Sequence, residues 1–188
     1  MMQNKYKIAA LLAGVLSLNV PCAVAEENFA LWLVDFSRNK EVKPVINEQY
    51  RSECGECHFA YQPGLLPEKS WLKLLDAEAL KDHFGDNAEL DKDTLDAIRA
   101  YAVENSADKS WHKRSRKIAQ ATAEGVAPLR ITEVRYIKRT HQDIPERMIK
   151  GNKDVKSQSF CNKCHTQAAK GVFDEDTVQI PNFPNWED

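Results

Sequence analysis

The hydrophobic pattern divides the chain into one unbroken apolar run near its start and a long series of amphipathic segments after it. Lys5 and Lys7 precede the run from Ile8 to Val20, which leads to Ala23-Val24-Ala25. A basic start, an apolar middle and a small-residue end are the three parts of a secretory signal, and they predict cleavage after Ala25. The run falls short of the roughly 20 apolar residues that span a bilayer. No second run follows, so no membrane span is expected after cleavage. Pro21 before Cys22 departs from lipoprotein signals, where a small residue precedes the lipidated Cys.

From Glu26 to Lys43, Leu31, Trp32, Leu33, Val34 and Phe36 fit either a short strand or a helix, and periodicity does not decide between them. Pro44 then interrupts the chain before a short helix. Tyr61-Gln62-Pro63-Gly64-Leu65-Leu66-Pro67 is a turn-rich apolar loop. Helical spacing dominates beyond it. Ser70 can cap a helix carrying Trp71, Leu74, Leu75 and Leu80 that stops near Gly85. Asp91 can cap the next, with Leu90 and Leu95 as a hydrophobic staple and Leu95, Ile98, Ala102 and Val103 inside. Thr132 can cap a third, carrying Val134, Tyr136 and Ile137 towards His141 before Pro145. Strand signals are weak throughout, which predicts an all-α domain over residues 26–188.

Composition narrows the class. A chain of 188 residues with 43% hydrophobic side chains is too polar for a multi-span membrane protein and too apolar for a disordered one. The formal net charge of -2 gives no basic footprint for nucleic acid. Signal cleavage removes two lysines and no acid, so the mature chain is more acidic still.

The cysteines carry the chemistry. With Cys22 lost in the signal, four remain, in Cys54-Gly55-Glu56-Cys57-His58 and Cys161-Asn162-Lys163-Cys164-His165. Both are C-x-x-C-H, the attachment signature of c-type haem. The two thiols form thioethers to the porphyrin vinyl groups, and the adjacent imidazole turns onto the iron. Cys54, Cys57, Cys161 and Cys164 are therefore the covalent haem positions, and His58 and His165 the proximal ligands. A zinc site pairs its C-x-x-C knuckles roughly 15 to 20 residues apart, whereas these lie about 100 apart. A thioredoxin-like pair expects a βαβ setting that is not found. Structural disulfides suit an exported chain but leave the two histidines unexplained. Two haems give two lobes, over about residues 44–105 and 128–188, joined by helices.

Each iron has a second axial position, and the mature chain offers His83, His112, His141 and Met148 for it. His83 and His141 stand near predicted helix ends, each about 25 residues from the nearer motif His, and are the favoured distal pair. His112 falls in a basic stretch, Lys109 to Lys117, and Met148 can equally pack in a core. A second His would close the iron at low potential, Met would raise the potential, and an open site would favour catalysis or ligand binding.

The segments Glu53 to His58, Tyr61 to Pro67 and Ser70-Trp71 resemble the first haem segment of the dihaem cytochrome c family of exported bacterial electron-transfer proteins. Asp82-His83-Phe84-Gly85-Asp86 resembles the family's next block, and similarity continues through Arg130-Ile131-Thr132 to His141, the second motif and Ile180-Pro181. The resemblance implies two covalently bound, low-spin haems with His83 and His141 as distal ligands, without saying which serves which iron. It also implies redox traffic with a membrane b-type cytochrome or a small oxygen-binding monohaem cytochrome.

The resulting expectation is a periplasmic carrier of single electrons rather than an enzyme. A small haem peroxidase, a sulfur-compound oxidoreductase or a ligand sensor would instead need an open iron. Lys109, Lys113, Arg114, Arg116 and Lys117 form a basic cluster after the acidic Asp86 to Asp96 stretch. Such a cluster can be a solvated helix face, a docking patch or a neutraliser of haem propionates.

Overall fold

The computed structural model describes residues 41–186. The predicted signal and the ambiguous Glu26 to Lys40 stretch lie outside the described residues. Within them the protein is helical, and its only β features are isolated bridges, His83 with Asp86 and His165 with Val178. No described helix is long and apolar enough to cross a membrane.

The described helices are α1 (Glu48–Glu53), α2 (Glu68–Leu74), α3 (Ala77–Leu80), α4 (Lys92–Glu104), α5 (Lys113–Ala121), α6 (Arg135–Thr140) and α7 (Glu146–Ile149). Most start where a side chain or a proline can begin a helix. The Asn47 side chain accepts from the Tyr50 amide, Asp76 from Glu78 and Ala79, and Asp91 from Asp93 and Thr94.

Two expected caps are replaced. Ser70 lies buried inside α2, because the helix begins directly after Pro67, whose fixed φ suits that position. The orphan amide of Glu68 is satisfied from a distance by the Asp108 carboxylate at 2.9 Å. Thr132 likewise sits within the 3-10 turn Ile131–Glu133, and α6 starts after Val134. The segment expected to run as one helix to near Gly85 breaks at Leu75, whose carbonyl accepts from the Arg99 side chain at 2.9 Å, restarts from the Asp76 cap and ends at Leu80.

Of the core face that its spacing predicts, Val103 on α4 is only half-buried, while Leu95, Ile98 and Ala102 are buried. They join Tyr50, Leu66, Trp71, Ile118 and Val134 in one cluster, with α2 packed on α4 and α5 on α6. The Pro63–Leu65 turn runs through its middle, and the Trp71 indole donates to the Pro63 carbonyl at 2.8 Å.

The first described residues are bolted to the segment after the second motif. The Val42 amide donates to the Gly171 carbonyl at 3.1 Å, and Glu41 receives both Arg114 (3.1 and 3.2 Å) and the Phe173 amide (2.7 Å). Gly171 has φ 75°, and a Cβ there would lie 2.2 Å from the Val42 carbonyl oxygen, so only glycine allows this approach. The basic cluster is thereby divided: Arg114 pairs with Glu41, Lys109 with Glu68 at 3.0 Å, and Lys117 lies over the Tyr136 ring.

Candidate haem sites

The first C-x-x-C-H segment hangs from the end of α1. Cys54 closes that helix, its amide bonded to the Tyr50 carbonyl at 3.0 Å, and the chain then folds back tightly. A Cβ at Gly55 would come within 2.3 Å of the Arg51 carbonyl oxygen, which explains glycine inside this loop. His58 Nδ1 lies 2.8 Å from the Phe59 carbonyl oxygen. A carbonyl only accepts, so Nδ1 carries the proton and Nε2 keeps its lone pair for a metal.

The His83 ring faces His58 across a gap. Their ring centres are 6.4 Å apart, with planes inclined by 27°. His83 is aimed by a tight reversal in which its amide and carbonyl pair with those of Asp86, at 2.7 and 3.3 Å. Phe84 (φ 61°) and Gly85 (φ 106°) turn the corner in left-handed conformations. The Arg130 guanidinium lies 3.9 Å over the Phe84 ring and holds this corner from the other side. A cavity of about 530 Å³ opens beside His83, lined also by Lys73, Leu74, Phe84, Leu129 and Arg130.

The second segment is built from turns. Cys161–Lys163 is a single 3-10 turn, and the His165 amide returns to the Cys161 carbonyl at 2.8 Å. Pairing of Gln179 with Cys164 (2.8 Å) and of Thr166 with Thr177 (3.2 Å) fixes the following loop against it. His165 faces His141, the residue that ends α6, at a ring-centre distance of 6.0 Å and an angle of 69°. His141 Nδ1 donates to the Ile137 carbonyl at 2.9 Å, again leaving Nε2 for a metal. A cavity of about 310 Å³ adjoins His141, with Thr132, Ile144, Ile149, Lys150 and Ser157 in its walls.

An imidazole nitrogen stands about 2 Å from a metal it ligates and about 1 Å from its own ring centre, so two imidazoles across one metal have centres about 6 Å apart. Both facing pairs match that separation, and each has two free thiols beside it. Either site can therefore hold an iron porphyrin between its rings. Of the other two candidates, His112 stands at the start of α5 and Met148 is buried in α7.

Electrostatics favour the neutral form at His83 and His165. Burial, then the facing His58 and Arg130, lowers the His83 pKa; burial, then His141 and Arg114, brings His165 down to about 4. Imidazoles held neutral are ready to ligate. The thiols move the other way. Burial pushes Cys54 up to about 12 and Cys161 to about 11, and raises Cys164. Redox-active C-x-x-C pairs have depressed thiol pKa values, so these environments speak against disulfide exchange. Nor do the two motifs meet as one zinc site: no group of three or more His, Cys, Asp or Glu suited to a metal occurs among the described residues.

A family model for dihaem cytochrome c matches residues 50–173, which include both motifs, His83 and His141. The chain belongs to the dihaem cytochrome c family. Membership brings two haem c groups with iron as its cofactors, and the helical fold agrees with it. A diheme cytochrome c from Shewanella baltica is 39% identical, with a TM-score of 0.61, over 75% of this chain and 98% of that one. One from Rhodobacter sphaeroides is 36% identical, with a TM-score of 0.62, over 70% of this chain and all of that one (100%). A comparison with curated proteins found no match.

Sequence reasoning missed two contacts. Arg130 against Phe84 had no signal beyond its place in the family-like block. Tyr61, read only as part of an apolar loop, packs on the His58 ring and bonds to the Ser159 carbonyl. Nothing in the local sequence of either segment announces that meeting.

Proposed function

We propose that this protein is an exported, periplasmic electron carrier, cut after Ala25, in which His58 with His83 and His141 with His165 close the two irons from both sides. The observation that carries this reading is the paired ring separation, 6.4 and 6.0 Å, with free cysteines beside one ring of each pair. On this reading each distal His serves the nearer motif, and ligation does not cross between the lobes. Bound haem supplies a one-electron couple. The chain's own part is to hold four imidazoles in place, with the Nδ1 protons of His58 and His141 fixed on carbonyl oxygens. Closed coordination leaves no position for substrate, which favours electron relay over bond chemistry. Two imidazoles also stabilise ferric iron better than imidazole with thioether, so both potentials should lie below those of His/Met cytochromes. Fitting partners are redox proteins, with a membrane b-type cytochrome as donor and a small oxygen-binding monohaem cytochrome as acceptor.

The test combines mass spectrometry, EPR and carbon monoxide. The exported protein should begin at Glu26, carry two haems, show two low-spin ferric signals and bind no CO rapidly when reduced. Rapid stoichiometric CO binding at either haem would remove the closed-site reading.

A further inference from the structure

Tyr61 reaches both sites at once. Its ring centre lies 4.9 Å from that of His58, with the planes inclined by 33°, and Phe59 stands edge-on to it at 5.5 Å. At the other end of the ring the hydroxyl donates to the Ser159 carbonyl. That residue enters the second motif, and the Cys161 sulfur lies 3.7 Å from the same carbonyl oxygen. The backbone of Tyr61 is itself held, because the buried Tyr50 hydroxyl donates to its carbonyl at 2.8 Å. The phenol therefore has a fixed root, a face on a motif imidazole and a polar tip on the chain entering the other motif. Packed interiors transmit displacement because their side chains have little room to relax.

We propose that Tyr61 is a positioning residue that couples the two haem sites, holding the His58 ring and the backbone entering Cys161 as one rigid unit. The redox equilibrium of the second site then depends on a side chain rooted in the first. No electron or proton resides on the phenol in this role. The proposal rests on the assignment of His58/His83 and His141/His165 as ligand pairs.

The experiment uses the full exported holoprotein and three variants, followed by haem count, low-temperature EPR and spectroelectrochemical titration. Tyr61→Phe keeps the ring and loses the Ser159 bond. It should retain both haems, shift the EPR signal of the second site, and change that site's reduction equilibrium constant about threefold to tenfold, the range of one hydrogen bond. Tyr61→Leu, which also loses the ring contact, should additionally move the first-site signal. Tyr50→Phe removes the bond at the root of the same residue without touching Ser159; it should lower the thermal midpoint and move the second-site signal less than Tyr61→Phe does. Loss of only the second haem in Tyr61→Phe would be the extreme form of the same coupling. An unchanged second site in Tyr61→Phe, or an equal change in Tyr50→Phe, would overturn the proposal. Absence of two low-spin signals in the unaltered protein would strike the ligand assignment instead.

Discussion

The two haem sites use the same five-residue motif on different supports. The first is suspended from α1 and backed by the main cluster of Tyr50, Leu66, Trp71, Leu95 and Ile98. The second lies beyond α7, where the described chain has only the 3-10 turns Cys161–Lys163, Ala168–Lys170 and Glu175–Thr177. Ala168 and Phe173 join the main cluster there, whereas Met148, Val155 and Ile180 are buried outside it. The rings differ accordingly, with planes near parallel at the first site (27°) and steeply crossed at the second (69°). The same short motif therefore recurs in both sites, while the scaffold around it sets the orientation of the facing rings.

The comparison is broken most severely by removing covalent attachment. Cys161→Ala with Cys164→Ala should lose order through most of residues 150–186, because turns alone bury too little to fix that segment. The matching Cys54→Ala with Cys57→Ala should leave α2 and α4 protected. Amide hydrogen exchange would distinguish them, and equal loss in both would erase the contrast. Next in size is ligand removal. His83→Ala or His141→Ala should each convert one haem, and not the other, to a high-spin, CO-binding form with both haems still attached, as seen by visible and EPR spectra. An unchanged low-spin spectrum would send the assignment back to His112 or Met148.

The ring angles sharpen the contrast without mutation. Near-parallel imidazoles separate the iron dπ orbitals and crossed ones leave them nearly degenerate, so the first site should give a rhombic low-spin EPR signal and the second a strongly anisotropic one. Two identical rhombic signals would refute the difference in angle. Smaller effects test the supports. Arg114→Ala leaves the mostly buried Glu41 carboxylate without its cation, and Glu41 in turn holds the amide of Phe173, which packs on His165 at 5.3 Å. It should cost about 2 kcal/mol in urea unfolding and perturb the second site alone. Arg99→Ala removes the tie from α4 to the Leu75 carbonyl and should cost about 1 kcal/mol, felt at the first site.

Much was legible in the chain because its signals are local. Two C-x-x-C-H motifs point to the cofactor and offer four candidate attachment thiols wherever the segments lie. Asp91 before Leu95, Ile98 and Ala102 determines α4 because cap and period occur within the same helix. His83 and His141 were recognisable as ligand candidates, since few alternatives exist for two irons. Tertiary structure decided what depends on distant groups: Asp108 caps α2 in place of Ser70, and Arg99 ends that helix by taking the Leu75 carbonyl. It decided which His faces which motif, through a left-handed corner at Phe84 and Gly85 and a helix end at His141. It also brought Tyr61 to Ser159 and Glu41 to Phe173, pairs far apart in the chain. Such pairings have no local signature, because their stability arises from burial and bonding that exist only once the chain has closed on itself.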